Sequence, residues 1–231
     1  FLHAAVATIT PFTFKAANFE IDRDFKIVGT VAYSPMLFIA NNASPAKTLT
    51  EAVAHANTKP GTIALGNPSI KSVPHLTGEL LAQRTGGKFQ QVPFSSTPQA
   101  LQALMNGDIA YYVDGTTPLL PLVRSGKVRA IGLAADTVLP GLEGLPLAKD
   151  SVPGMTVIGW FLVFAPKGTP TPVVQRLNAE LNKALVLPDV TQRFRDLGTY
   201  SMPRSVEDSR AFVKSETDRR SEEHTSELQS L

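Results

Sequence analysis

Small polar residues recur at three places where a short apolar run gives way to helical periodicity. The segments are Gly66–Ser72, Pro93–Thr97 and Asp114–Thr117. They carry Asn67, Ser69 and Ser72, then Ser95, Ser96 and Thr97, then Asp114, Thr116 and Thr117. A helix start leaves backbone N–H groups without intrahelical partners, and the helix dipole adds partial positive charge there. Hydroxyls beside such groups donate further hydrogen bonds without blocking approach. The chemistry this suits is the binding of an anion such as a carboxylate. The other use of the same residues is to cap their own helices, which Ser and Thr do routinely. Asp114 repels an anion, so it either accepts from an ammonium or hydroxyl on a ligand or caps the helix that follows it. His75 stands just inside the helix after the first segment and joins the candidate set. Thr8, in the irregular stretch around Pro11, completes it.

Other chemistries find little support. The chain has no cysteine, which excludes a disulfide scaffold, a Cys-ligated zinc site and a thiol nucleophile. Of four histidines, His3 lies in an apolar run and reads as core, His55 reads as a solvated helix residue, and His224 lies in the tail. No His pair has metal-ligand spacing, and neither a GxSxG elbow, a P-loop nor a complete GxGxxG occurs. No cofactor or metal is expected. The formal net charge of +2 is too mild to indicate nucleic acid, and no basic run with interleaved aromatics appears. No apolar stretch reaches the ~18 residues that span a bilayer.

The elements that must position the candidates alternate between strand and helix. Strands are expected at 25–32, 36–40, 62–65, 89–92, 109–113, 128–133 and 160–165, with Ser34-Pro35 separating the first two. Thr48 and Glu51 have capping-box spacing and open a helix that stops at Lys59-Pro60-Gly61. Leu76, Leu80 and Leu81 mark a helix over 73–85, stopped by Gly86-Gly87. Thr97 reads as the cap of the next helix, with Pro98 in its first turn. Val173, Val174, Leu177, Leu181 and Leu185 repeat at helical spacing after Pro172. Strand–helix alternation with short loops implies βαβ units around a mainly parallel sheet, whose strand-to-helix loops gather at one edge. The fold class is α/β.

Ordered stretches between 25 and 218 resemble one family. Residues 44–61 (SPAKTLTEAVAHANTKPG) are similar to its P-x-K-T segment ending in K-P-G. Ser72, His75, Leu76 and Glu79 match its S-x-x-H-L-x-x-E helix start, and Val92-Pro93 with Pro98 matches its V-P…P segment. Ser125–Ile131 resembles A-G-K-L-R-A-L, Trp160–Pro170 resembles W-Y-G-L-F-A-P-A-G-T-P, and Arg176-Leu177-Asn178 matches R-L-N. Together these resemble the Bug/TctC family, the receptors of tripartite tricarboxylate transporters. The resemblance implies a type II periplasmic-binding-protein fold with two α/β lobes and a small carboxylate in the cleft between them. It implies a periplasmic, non-enzymatic monomer that passes its ligand to a membrane permease, without nucleic acid and without inserting in the membrane. Residues 33–157 would form the second lobe, with 1–32 and 158–220 in the first. The family's Gly-rich first loop has no counterpart here, so the first lobe is expected to be incomplete, lacking its leading segment and any leader peptide. Two departures fall on the candidate loops. Phe94-Ser95-Ser96 stands where Tyr-Lys-Gly is usual, and Asp114-Gly115 where Asp-Asn is usual. Two alternatives remain on the same scaffold: an effector domain of LysR type, and an enzyme using His75 and Asp114 as acid and base.

Residues 221–231 lack apolar periodicity and resemble a translated sequencing adapter, with a polar native C-terminus as the alternative. They are expected to be a non-native tail that interrupts the last helix. Setting aside their three Glu raises the formal net charge from +2 to +5.

Overall fold

The computed structural model describes residues 2–3 and 21–228, which form two compact units. The first takes the chain up to Tyr33, Trp160–Arg193 and the residues from Tyr200; the second takes Ser34–Gly159 and Phe194–Thr199. Residues 194–199 thus group with the second unit, whereas the sequence reading leaves them in the 158–220 segment. Hydrogen bonds within that unit explain the grouping. Thr116 Oγ1 donates to the Gly198 carbonyl, Thr117 and Thr199 hydroxyls pair at 2.8 Å, and Arg124 donates to the Asp196 carbonyl at 2.7 Å.

The second unit is built on the last part of strand β2 (Phe25–Ala40), from Ser34 on, whose Met36–Ala40 stretch lies antiparallel to both β5 (Tyr111–Gly115) and β6 (Arg129–Ala134). β3 (Ala64–Asn67) runs parallel to β5 and to β4 (Gln90–Pro93). The α/β class holds, with a mixed sheet because β2 enters antiparallel. Leu37, Phe38 and Ile39 are at most 1% exposed, as their unbroken apolar run requires of a strand covered on both faces.

Two strands expected on either side of Ser34-Pro35 are one strand of 16 residues. Proline normally ends a ladder because it lacks an N–H. Here Pro35 sits between the Tyr33↔Tyr200 pair and the Met36↔Gly115 pair, where β2 changes partners. The missing donor falls at that change.

Helix α1 (Ile21–Asp24) precedes β2, and α2 (Leu49–Thr58) follows it. Thr48 caps α2 by accepting from the Glu51 N–H at 3.2 Å. Glu51 reaches back to the Lys47 N–H at 2.6 Å, one residue beyond the usual capping-box partner. α3 (Val73–Thr85) packs on β3, β4 and β5, and Gly86 ends it at φ +66°. Gly78 lets α3 approach the sheet: a Cβ there would lie 3.0 Å from Gln91 Oε1 and 3.2 Å from Leu65 Cδ2. α4 (Thr97–Asn106), α5 (Thr116–Arg124) and the short α6 (Ala148–Ser151) complete the unit. His55 is not simply solvated as expected. Its Nδ1 lies 2.7 Å from the hydroxyl of Tyr111, which is 1% exposed.

In the first unit, β1 (Leu2–His3) is antiparallel to β7 (Ile158–Pro166), β7 is bonded to β2, and β8 (Tyr200–Ser201) pairs with Ala32 and Tyr33. Ile27, Trp160, Leu162 and Val213 form one core cluster. Trp160 donates to Glu216 Oε2 at 3.0 Å. The buried stripe of α7 (Thr171–Leu185) differs from expectation. Val174, Asn178 and Leu185 are buried, whereas Val173 and Leu177 are exposed. Asn178 belongs on that stripe because its amide donates to the carbonyls of Val28 and Arg204. α8 (Pro188–Asp196) follows, and α9 (Val206–Leu228) runs on through the expected interruption at 221. That stretch contains no Pro or Gly, so nothing in it stops a helix already begun.

Candidate functional site

Parallel strands β5, β3 and β4 lie side by side, and their pairs Gly66↔Tyr112 and Asn67↔Pro93 bring their C-terminal ends to one edge. The segments leading to α3, α4 and α5 open along it, as the alternation predicts. Alternation along the strands then divides the candidates. Leu65 faces α3, since it approaches Gly78. Asn67, two residues on, leaves the sheet on that same face. Gly66 faces the other way, toward Ile109, Tyr112 and Phe94. Tyr112 and Asp114 share that second face. The sheet therefore separates Asn67, Ser72 and His75 from Thr97 and Asp114.

On the α3 face, Ser72 caps the helix. Its Oγ accepts from the His75 N–H at 3.3 Å and donates to the Ser69 carbonyl at 2.6 Å. Ser69 points its hydroxyl at the Ile70 carbonyl at 3.4 Å. Asn67 is fully buried, and neither its amide oxygen nor its amide nitrogen has a protein partner. Its place at the end of β3, rather than in the loop, explains the burial. His75 has a buried Nδ1 without a partner, while Nε2 lies 3.7 Å from Glu79 Oε1. Burial pulls the imidazole pKa below its ordinary value, with Glu79 opposing, so His75 is neutral at pH 7. Unpartnered buried polar atoms are rare and call for water or a ligand.

The α4 face is the opposite case. Thr97 is the first helical residue rather than the cap. Ser96 takes the cap position, and its side chain makes no capping bond. Thr97 Oγ1 instead donates to Asp114 Oδ2 at 2.8 Å. The Tyr112 hydroxyl donates to the same oxygen at 3.0 Å, and the Gly115 N–H donates to Oδ1 at 2.8 Å. Burial raises the Asp114 pKa, and these three donors hold the rise back. Burial and the neighbouring Asp114 charge also push the Tyr112 phenol well above its ordinary range. Asp114 does not cap α5. Gly115 holds that cap position, and the Thr116 N–H goes to Ser34 Oγ at 3.2 Å. Ser95 is exposed and donates to Gln99 Oε1 at 2.7 Å. Thr8 lies outside the described residues.

Tyr112 escaped the sequence reading, although its i, i+2 relation to Asp114 on a strand is the signal that finds it. Lys71 escaped it too. It has φ +59°, the one positive value at a non-glycine among the described residues. The contact between His75 and Asp114 that paired acid–base catalysis needs is not formed. Among the described residues, no group of three His, Asp or Glu is placed to hold a metal, and no helix is long and apolar enough to cross a membrane.

Comparison with known proteins agrees with this architecture. The family model described as "Tripartite tricarboxylate transporter family receptor" matches residues 2–224. A protein of Pseudomonas sp. encoded in a tcbD-tcbE intergenic region is 31% identical over 210 residues, 90% of this chain and 62% of that relative. Protein BugT of Bordetella pertussis is 26% identical, over 87% of this chain and 62% of its own. The chain thus spans about three fifths of the length of these relatives. Among solved structures, Rpa4515 of R. palustris, with adipate, superposes with a TM-score of 0.91 at 25% identity, over 96% of this chain and 74% of the other. MatC of Rhodopseudomonas palustris, with bound malate, gives 0.84 at 31% identity, over 94% and 75%. Periplasmic binding protein BugD gives 0.88 at 28%, over 97% and 76%.

Proposed function

We propose, from the premise that this chain belongs to the family of tripartite tricarboxylate transporter receptors, that it captures a small carboxylate. The full protein works in the periplasm as a monomer, without turnover, and presents its ligand to a membrane permease. The observation that carries this reading is the α3 face of the sheet edge. There a helix start lies beside a fully buried amide whose donor and acceptor are both unpartnered. A carboxylate gains from the free N–H groups and the dipole at such a start. Water completes the bonds of groups too deep to reach it directly. That MatC holds malate and Rpa4515 holds adipate supports a ligand of this class.

Calorimetry on the full-length protein tests the reading. Malate, adipate and citrate are titrated against their neutral amides. Binding of at least one acid and of no amide is expected. At ligand one hundred times above Kd, mass action adds about 2.7 kcal/mol of stability, which a thermal scan detects as well. A flat response to every acid overturns the proposal.

A further inference from the structure

Buried side-chain polar atoms without a protein partner are few among the described residues, and most of them share one place. Seven atoms are of this kind, and five belong to Asn67, His75 and Gln91. Backbone geometry puts these three residues under one helix. Gln91 pairs with Leu65 in the parallel register of β3 and β4, so it leaves the sheet on the face that α3 covers. A Cβ at Gly78 of α3 would lie 3.0 Å from Gln91 Oε1 and 3.1 Å from its Nε2, which sets that amide directly against the helix. Asn67 stands two residues beyond Leu65 on the same face and is fully buried. His75 lies one helical turn before Gly78, in the first turn of α3. Gln91 belongs to none of the three strand-to-helix segments, because it sits inside β4.

The mix of atoms decides what can serve them. In each amide the nitrogen donates and the oxygen accepts. Neutral His75 adds Nδ1, which does one or the other according to its tautomer. A carboxylate only accepts, so it would leave both amide oxygens facing its own charge. Water donates and accepts, and a buried water makes about two to four hydrogen bonds to such groups. The anion thus belongs on the free N–H groups of the helix start, and water belongs beneath it.

We propose that Asn67, His75 and Gln91 bind buried water under the start of α3, and that Gln91 is a positioning residue of the carboxylate site, acting on the anion through that water. The second half deepens the carboxylate-receptor reading and rests on it; the first half does not. A bridging water is nearly as good as a direct hydrogen bond, so a residue inside the neighbouring strand can contribute to affinity without touching the ligand.

Two measurements on the full-length protein test this. In nuclear magnetic resonance spectra of the ligand-free wild type, the side-chain amide protons of Asn67 and Gln91 should show cross-relaxation with long-lived bound water. Its absence at both residues overturns the water site, whatever the protein binds. The second measurement is calorimetry with adipate and malate. Gln91→Met keeps the length of the side chain and removes both polar atoms. It should raise Kd for the acids about threefold to tenfold, the worth of one hydrogen bond. Gln91→Glu keeps the shape and sets a negative charge under the anion, so it should weaken binding further. Gln90→Met, on the opposite face of the same strand, should leave Kd unchanged. Adipate should also shift the ring nitrogen resonances of His75 in the wild type and shift them less in Gln91→Met, a readout that a merely structural glutamine does not move. If both Gln91 variants bind the acids as tightly as the wild type, Gln91 has no positioning role. If the wild type shows the bound water but binds no acid, the receptor reading fails and the positioning role with it, while the water site stands.

Discussion

The two faces of one sheet edge differ in how their polar groups are served. On the α4 face, Asp114 takes three donors, from Thr97, Tyr112 and Gly115. On the α3 face, Asn67 and the Nδ1 of His75 take none, although both are buried. Folding alone accounts for the first arrangement, because a satisfied network rigidifies the end of β5 against the start of α4. Folding alone does not account for the second. Burying an amide without partners costs free energy that an apolar side chain of similar shape avoids. The difference teaches where to look: the face that is complete without a ligand needs nothing beyond folding to explain it, and the face that is not is the proposed site.

The largest effect should come from breaking the complete face. Asp114→Ala strands the Tyr112 and Thr97 hydroxyls and the Gly115 N–H. It should cost about 2–3 kcal/mol, read as a lower urea midpoint at unchanged slope. Asp114→Asn keeps the shape and should retain most of that stability, since both hydroxyls can turn to donate to the remaining oxygen or accept from the amide. A smaller effect, or none, should follow from Asn67→Leu. Removing an unpartnered amide for an apolar group of similar outline should change stability by less than about 1 kcal/mol. Ligand affinity should fall all the same. If Asn67→Leu instead unfolds the protein while Asp114→Ala is tolerated, the assignment of scaffold and site is reversed.

The contrast also marks what a sequence can reveal here. The three strand-to-helix segments and the helix over 73–85 are legible because apolar periodicity and Gly86 are local signals. The division of the candidates between two faces is not. It turns on where β3 and β5 end, and both end two residues later than their apolar runs suggest. That shift puts Asn67 in the sheet, and alternation then decides which helix it meets. Continuity of β2 through Pro35 depends on partners far along the chain, β8 before it and β5 and β6 after it. The Tyr111 hydroxyl that meets His55 is likewise a non-local partner. Lys71 was invisible for another reason: a left-handed backbone at lysine contradicts the local preference that a sequence reading relies on.

The smallest effects should be those of pH, and the two faces should respond with opposite sign. His75 has a folded pKa below its ordinary value of 6.5. Between the two values the unfolded chain binds more proton, so stability falls as pH drops from about 6.5 toward the folded value. Asp114 has a folded pKa above its ordinary value of 3.8. In that window the folded state binds more proton, so stability falls as pH rises through it and the loss is complete above it. Acidification should therefore first destabilise the protein through the α3 face and then, nearer the carboxylate range, regain part of the loss through the α4 face. His75→Gln should remove the first change and Asp114→Asn the second, each leaving the other in place, as read from urea midpoints at half-unit steps of pH. A ligand anion at the α3 face should alter the first change and spare the second, because a negative charge near His75 favours its protonated form. If bound adipate or malate moves the Asp114 window instead, the anion lies on the α4 face and the satisfied network is the site after all.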